Sequence, residues 1–166
     1  MRTRLTFCAV CDIIDMLIFT ESEVTPVLLR PHHLLCMQKF SGHGYSPAFT
    51  AHLSGLLEHL RAHPETEITL ICGCDDLCTA CPHCHGGICD SAEKVSALDA
   101  GVLQAAALSE RTCGTWSALT ETARRRILLT DAFHSICACC EWYPLCRQTE
   151  VPDEQSTHSC AEIPHG

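Results

Sequence analysis

Basic residues are scarce in this sequence. Eleven lysines and arginines stand against 20 aspartates and glutamates, a formal net charge of −9. Non-specific nucleic-acid binding depends on lysine and arginine neutralising phosphates, so this balance argues against it. The one basic run, Arg124 to Arg126, sits inside a helical pattern and reads as a solvated face. A membrane-spanning run is lacking too. Crossing a bilayer takes about 20 consecutive apolar residues. The apolar stretch Leu5 to Phe19 is shorter than that and is interrupted by Asp12 and Asp15. It follows Arg2 and Arg4, but no small-residue cleavage site comes after it, so it does not read as an export signal. No Ser/His/Asp arrangement has local support. Gly42-x-Gly44 is half a phosphate-loop pattern and reads as a flexible turn.

Cysteine, in contrast, is abundant, with 15 in 166 residues. A disulfide scaffold would need an exported chain, and here the count is odd and Cys139 adjoins Cys140. The expectation is a reducing cytoplasm, where clustered cysteines hold metal more often than they bridge each other. The densest stretch, Ile71 to Asp90, carries Cys72, Cys74, Cys78, Cys81, Cys84 and Cys89 with His83 and His85. It has almost no core-forming residues, so its order must come from bonds to sulfur.

The chain divides into an extension over 1–27, a cysteine-rich metal-binding domain over 28–147 and a polar tail over 148–166. In the extension, Cys8 and Cys11 lie among Phe7, Val10, Ile13, Ile14 and Leu17 and read as cysteines of a partly buried segment. Leu28 to Phe40 is the first strong element, with Pro31 suited to the first turn of a helix. Ser46-Pro47 starts a second helix, which His63-Pro64 ends. Thr66 to Ile71 reads as a short strand, and Asp90 to Leu108 as a helix capped by Asp90 and Glu93. Trp116 to Leu129 is helical, and a short helix through Ile136 delivers Cys137 into a second cysteine group. The fold class is mainly α: a small bundle of four or five helices with at most a short strand or hairpin. Its two cysteine-rich loops should meet at a metal centre near the start of the Pro31 helix.

The two groups are built alike. Cys78-x2-Cys81-Pro82 is followed by Cys89, and Cys137-x2-Cys140 by Cys146. A CxxC puts two thiolates on one tight turn, and the later cysteine closes back on the same centre. Three close cysteines with one remote ligand is a common plan for a cubane cluster. Cys36 is the natural remote ligand, because its helix also carries His32 and His33, four and three residues before it. Zinc would instead take two CxxC pairs, Cys78/Cys81 with Cys137/Cys140, leaving Cys36, Cys89 and Cys146 without a role. Asp75 and Asp76, beside so many thiols, read as turn residues or hydrogen-bond acceptors. Tyr45, Trp116, Trp142 and Tyr143 read as packing residues, since no basic stripe accompanies them.

Four segments together carry a resemblance: Leu29-Arg30-Pro31-His32-His33-Leu34-Leu35-Cys36; Gly42-x-Gly44-Tyr45-Ser46; Cys78-x2-Cys81-Pro82; and Cys137-x2-Cys140-x-Trp142 with Cys146. From Leu28 to Arg147 the chain resembles a family of small prokaryotic cysteine-rich proteins, a domain of unknown function associated with iron–sulphur binding. The resemblance implies Cys36, Cys78, Cys81, Cys89, Cys137, Cys140 and Cys146 as ligands and implies no reaction. Cys72, Cys74, Cys84 and Cys139 look additional to that pattern, and Glu141 stands where a proline is expected. The function expected is binding of an iron–sulphur cluster, most simply [4Fe–4S], for electron transfer or redox sensing with a redox or protein partner. The alternatives are a zinc-stabilised interaction module without catalysis, and an enzyme whose incompletely coordinated iron binds substrate near His32, His33 or Tyr45.

Overall fold

The computed structural model describes residues 25–150. Cys8 and Cys11, and Cys160 of the tail, lie outside the described residues. Strand β1, Val27–Leu29, leads through a turn at Arg30-Pro31-His32 into helix α1, His33–Gln38. The sequence suggests that helix from Pro31 onward, but proline disfavours helical backbone at the residue before it. Leu28 and Leu29 are therefore left extended, and they pair as strand. Helix α2, Pro47–Ala62, begins and ends where the sequence places it. The Ser46 side chain accepts from the Phe49 amide, and Pro47 occupies the first helical position, where no amide is needed. The turn before it depends on two glycines. Gly42 has φ of +84°, and a Cβ on Gly44 would stand 2.7 Å from Thr50 Oγ1 and 2.8 Å from Phe49 Cδ1.

Strand β2, Glu67–Leu70, pairs in parallel with β1, and the α1–α2 segment supplies the crossover that parallel pairing requires. A two-residue strand β3, Cys84–His85, turns at Gly86-Gly87 into β4, Ile88–Cys89. Helix α3, Ala92–Ala106, follows. The Asp90–Glu93 cap does not form. The helix starts after Ser91 with no side-chain cap, and the Asp90 carboxylate lies 3.3 Å from His85 Nε2 and 3.8 Å from His83 Nδ1. Strand β5, Cys113–Thr115, adds antiparallel to β2, giving a sheet of order β1-β2-β5. Helix α4, Trp116–Ala123, continues as a wider turn over Arg124–Leu128. Helix α5, Ala132–Cys137, and the short α6, Tyr143–Cys146, complete the described chain.

The fold is mainly α, as the periodicity indicates, with strands more numerous than one hairpin. Leu34, Leu35 and Met37 from α1 meet Phe49, Leu53, Leu57 and Leu60 from α2. Ile68 and Leu70 of β2, Val102 of α3 and Trp116, Leu119 and Ile127 from the α4 region close the same core. This packing buries the inner side of α1.

Leu60 is fully buried, whereas Leu129 is 58% exposed. Urea unfolding of Leu60→Ala should show a loss of about 2–5 kcal/mol. Leu129→Ala should stay within about 0.5 kcal/mol of the parent. Equal effects would contradict this core assignment.

Candidate metal centre

Arg30, His32 and His33 stand at the turn into α1, and two buried carboxylates hold them. Asp99, from the middle of α3, is almost wholly inaccessible. Its Oδ2 accepts from Arg30 Nε at 2.9 Å and from an Arg30 terminal nitrogen at 2.6 Å. Its Oδ1 accepts from the His32 amide at 3.2 Å and from His32 Nδ1 at 2.6 Å. Asp75, from the first cysteine loop, does the same for the other histidine. Its Oδ2 accepts from His33 Nδ1 at 2.6 Å and from the Arg30 amide at 2.7 Å, and its Oδ1 from the Cys78 amide at 3.0 Å. An ionised carboxylate only accepts, so Nδ1 of each histidine carries the proton. In a neutral ring so held, Nε2 is the lone-pair nitrogen.

These contacts set the ionisation states. Burial is the largest influence on His32; with the neighbouring His33 it lowers the His32 pKa to about 4, so the ring is neutral at neutral pH. Burial alone would raise the pKa of Asp75 and Asp99. For Asp75 it is outweighed by His33 and by the bonds from Arg30 and Cys78, and for Asp99 by His32 and Arg30. Both carboxyl groups are held below their usual range. A carboxylate that fixes the Nδ1–H of a histidine is the arrangement that commonly backs a ligating imidazole.

The thiols sort into two sets by the neighbours that act on them most. Cys36 of α1 is raised well above the ordinary thiol value by burial and then by Cys140, Cys146 and Cys137. Cys137 is pushed up to about 12 by burial and then by Cys140 and Cys146. Cys146 is raised by burial and Cys140, with Lys39 opposing. Four thiols from α1, the end of α5, the α5–α6 connection and α6 thus form one set. The other set lies on the first loop. Cys74 is raised to about 11 by burial and then by Cys84, whose sulfur is 3.1 Å away. Cys78 is raised by burial and Asp75, and Cys81 by burial, with Cys89 and Cys84 adding to it. Both a nucleophile and a metal ligand need the thiolate, so without a cation these thiols stay protonated. A cation among them would stabilise the thiolates and displace their protons.

Two cavities adjoin the turn. Cys36, Cys140 and Cys146 line the first, and Cys78, Cys81 and Cys89 the second. The two are contiguous: His32, His33, Tyr45, Lys94 and Glu141 are among the residues that line both. Cys137 lines neither but belongs to the first set electrostatically. The additional cysteines Cys72, Cys74, Cys84 and Cys139 line neither cavity. Tyr45 links the two loops. Its hydroxyl donates to Glu141 at 3.1 Å, and its ring meets His83 edge-on at 4.8 Å and Trp142 at 5.3 Å. The cysteine loops therefore do meet near the start of α1, as the sequence suggests, although their thiols gather in two places. Among the described residues, no three His, Cys, Asp or Glu side chains close on one point as a single metal ion would require.

Sequence reasoning missed Asp99 and the role of Arg30. One signal was available. Asp99 lies between Val95 and Val102 on the apolar stripe of its helix, where an acid must find a partner.

Residues 44–146, more than half of the chain, match the model of a family described as a protein of unknown function, DUF1284, and the chain belongs to that family. The match begins at Gly44 and so does not include Cys36, His32 or His33. No curated protein and no solved structure matches.

Removing the charge of Asp99 leaves Arg30 buried without its counter-ion. Urea unfolding of the metal-free protein at pH 7 should show Asp99→Asn less stable than the parent by about 3–5 kcal/mol. Glu93→Gln, exposed on the same helix, should change stability by no more than about 0.5 kcal/mol. An undiminished Asp99→Asn protein would mean that the network does not hold the turn.

Proposed function

We propose that this member of the DUF1284 family binds an iron–sulphur cluster, most simply [4Fe–4S], and serves in electron transfer or redox sensing. One observation carries the reading. Cys36 of α1 and the Cys137–Cys146 group come from two distant stretches of sequence, yet Cys36, Cys140 and Cys146 line one cavity, with Cys137 one turn before Cys140. Four cysteines are the usual ligand set of a cubane cluster. Thiols lining a cavity wall, rather than touching at a point, suit a group of several atoms. Soft thiolates in such number select iron–sulphur or zinc and disfavour hard cations. Lys39 supports the same reading. It is buried, its Nζ donates to the Thr149 carbonyl at 2.5 Å, and its charge favours the ionised form of Cys146. When bound, the cluster would supply one-electron chemistry. The protein's contribution would be to hold the thiolates, keep water from the first cavity with Phe40, Trp142 and Leu145, and tune the potential through nearby hydrogen bonds and charge.

Protein purified without oxygen should be brown, contain iron and acid-labile sulfide, and bleach with dithionite. Stoichiometric zinc with no sulfide would overturn the reading. Cys36→Ser should lower both the iron content and the melting temperature, because a group bridging distant segments couples its binding to folding. Full iron retention with unchanged melting in Cys36→Ser would exclude Cys36 as a ligand.

A further inference from the structure

The second thiol set is not needed by a cubane on Cys36, Cys137, Cys140 and Cys146, yet it is as well built. We propose that the chain carries a second, separate iron–sulphur centre, held by Cys78, Cys81 and Cys89 in the cavity that adjoins the first across His32 and His33. The proposal rests on the iron–sulphur reading above and adds the number of centres, the division of ligands and the cluster's surroundings.

Three observations carry it. Cys78, Cys81 and Cys89 line one cavity, of about 240 Å³, while Cys36, Cys140 and Cys146 line the other. The second loop position is also fixed from outside the loop. Asp75 accepts from the Cys78 amide while it holds Arg30 and His33, so Cys78 is positioned by the same network that positions the histidines. On the other side, the β3–β4 hairpin fixes Cys89 by pairing its backbone with Cys84.

Cys74 and Cys84 are left out of the proposed centre. Their sulfurs touch each other, and neither residue lines the cavity. Three cysteines leave one iron of a cubane without a protein thiolate. The same cavity is also bordered by His33, His83, Lys94 and Glu141.

The test is metal and sulfide analysis with electron paramagnetic resonance on full-length protein purified without oxygen and reduced with dithionite. The wild type should hold about eight irons and eight sulfides per chain, the content of two cubanes. Cys81→Ser and Cys140→Ser should each keep about half, and the signals they retain should differ and together account for the wild-type spectrum. The Cys74→Ser/Cys84→Ser double variant should keep the full amount. About four irons in the wild type, or complete loss in both single variants, would mean one shared centre. Loss of half the iron in the double variant would overturn the three-cysteine assignment. The wild-type count does not depend on any variant folding. Absence of iron and sulfide from the wild type would reject the iron–sulphur reading itself, whereas iron at single-cluster content would reject only the second centre.

Discussion

The buried pairing of Arg30 with Asp99 is the constraint on which the rest of the site depends. A guanidinium and a carboxylate removed from water cost several kcal/mol each, and only close hydrogen bonding offsets that. Here the pair is hydrogen-bonded to the limit of what the carboxylate accepts, with His32 filling the second oxygen. Two segments far apart in sequence meet at this point: the turn from β1 into α1 and the middle of α3. Asp75 extends the network into the first cysteine loop. The loop is therefore held twice, by the fully buried Leu77 in the apolar core and by the hydrogen bonds of Asp75.

This arrangement explains how a small domain can present many sulfurs without collapsing onto them. The apolar core lies under α1, between α2 and the sheet, and the thiols lie at the edge of that core. Leu34, Leu35 and Met37 anchor the inner side of α1 while Cys36 lies on its other side with the second cysteine group. The histidines at the turn are shared between the two cavities, and their Nδ1 atoms are already committed to carboxylates. Whatever occupies either cavity therefore meets rings held in one tautomer and one orientation.

Much of this was legible in the sequence, for identifiable reasons. Helix α2 was readable because Ser46-Pro47 and His63-Pro64 punctuate it chemically and its leucines keep the helical period. The cysteines that line the cavities are all among those singled out by spacing and by the family resemblance, although Cys137, singled out with them, lines neither. The two- and three-residue strands were not readable, since so short a stretch shows no alternation, and β5 at Cys113–Thr115 contains a glycine. Asp90 looked like a helix cap because caps are local, but a competing contact with His83 and His85 takes it. Asp99 was overlooked because its partner Arg30 lies 69 positions away, a separation that no local pattern reports. The division of thiols into two sets was hidden for the same reason: spacing tells which sulfurs share a turn, not which turns share a cavity.

Anomalous scattering at the iron edge, from crystals of protein purified without oxygen, tests the central claim most directly. The account predicts two separate iron peaks. One should be bounded by Cys36, Cys137, Cys140 and Cys146, and the other by Cys78, Cys81 and Cys89, with His32 and His33 between them. A single peak bridging both loops, a peak at Cys74 and Cys84, or scattering at the zinc edge alone would contradict it.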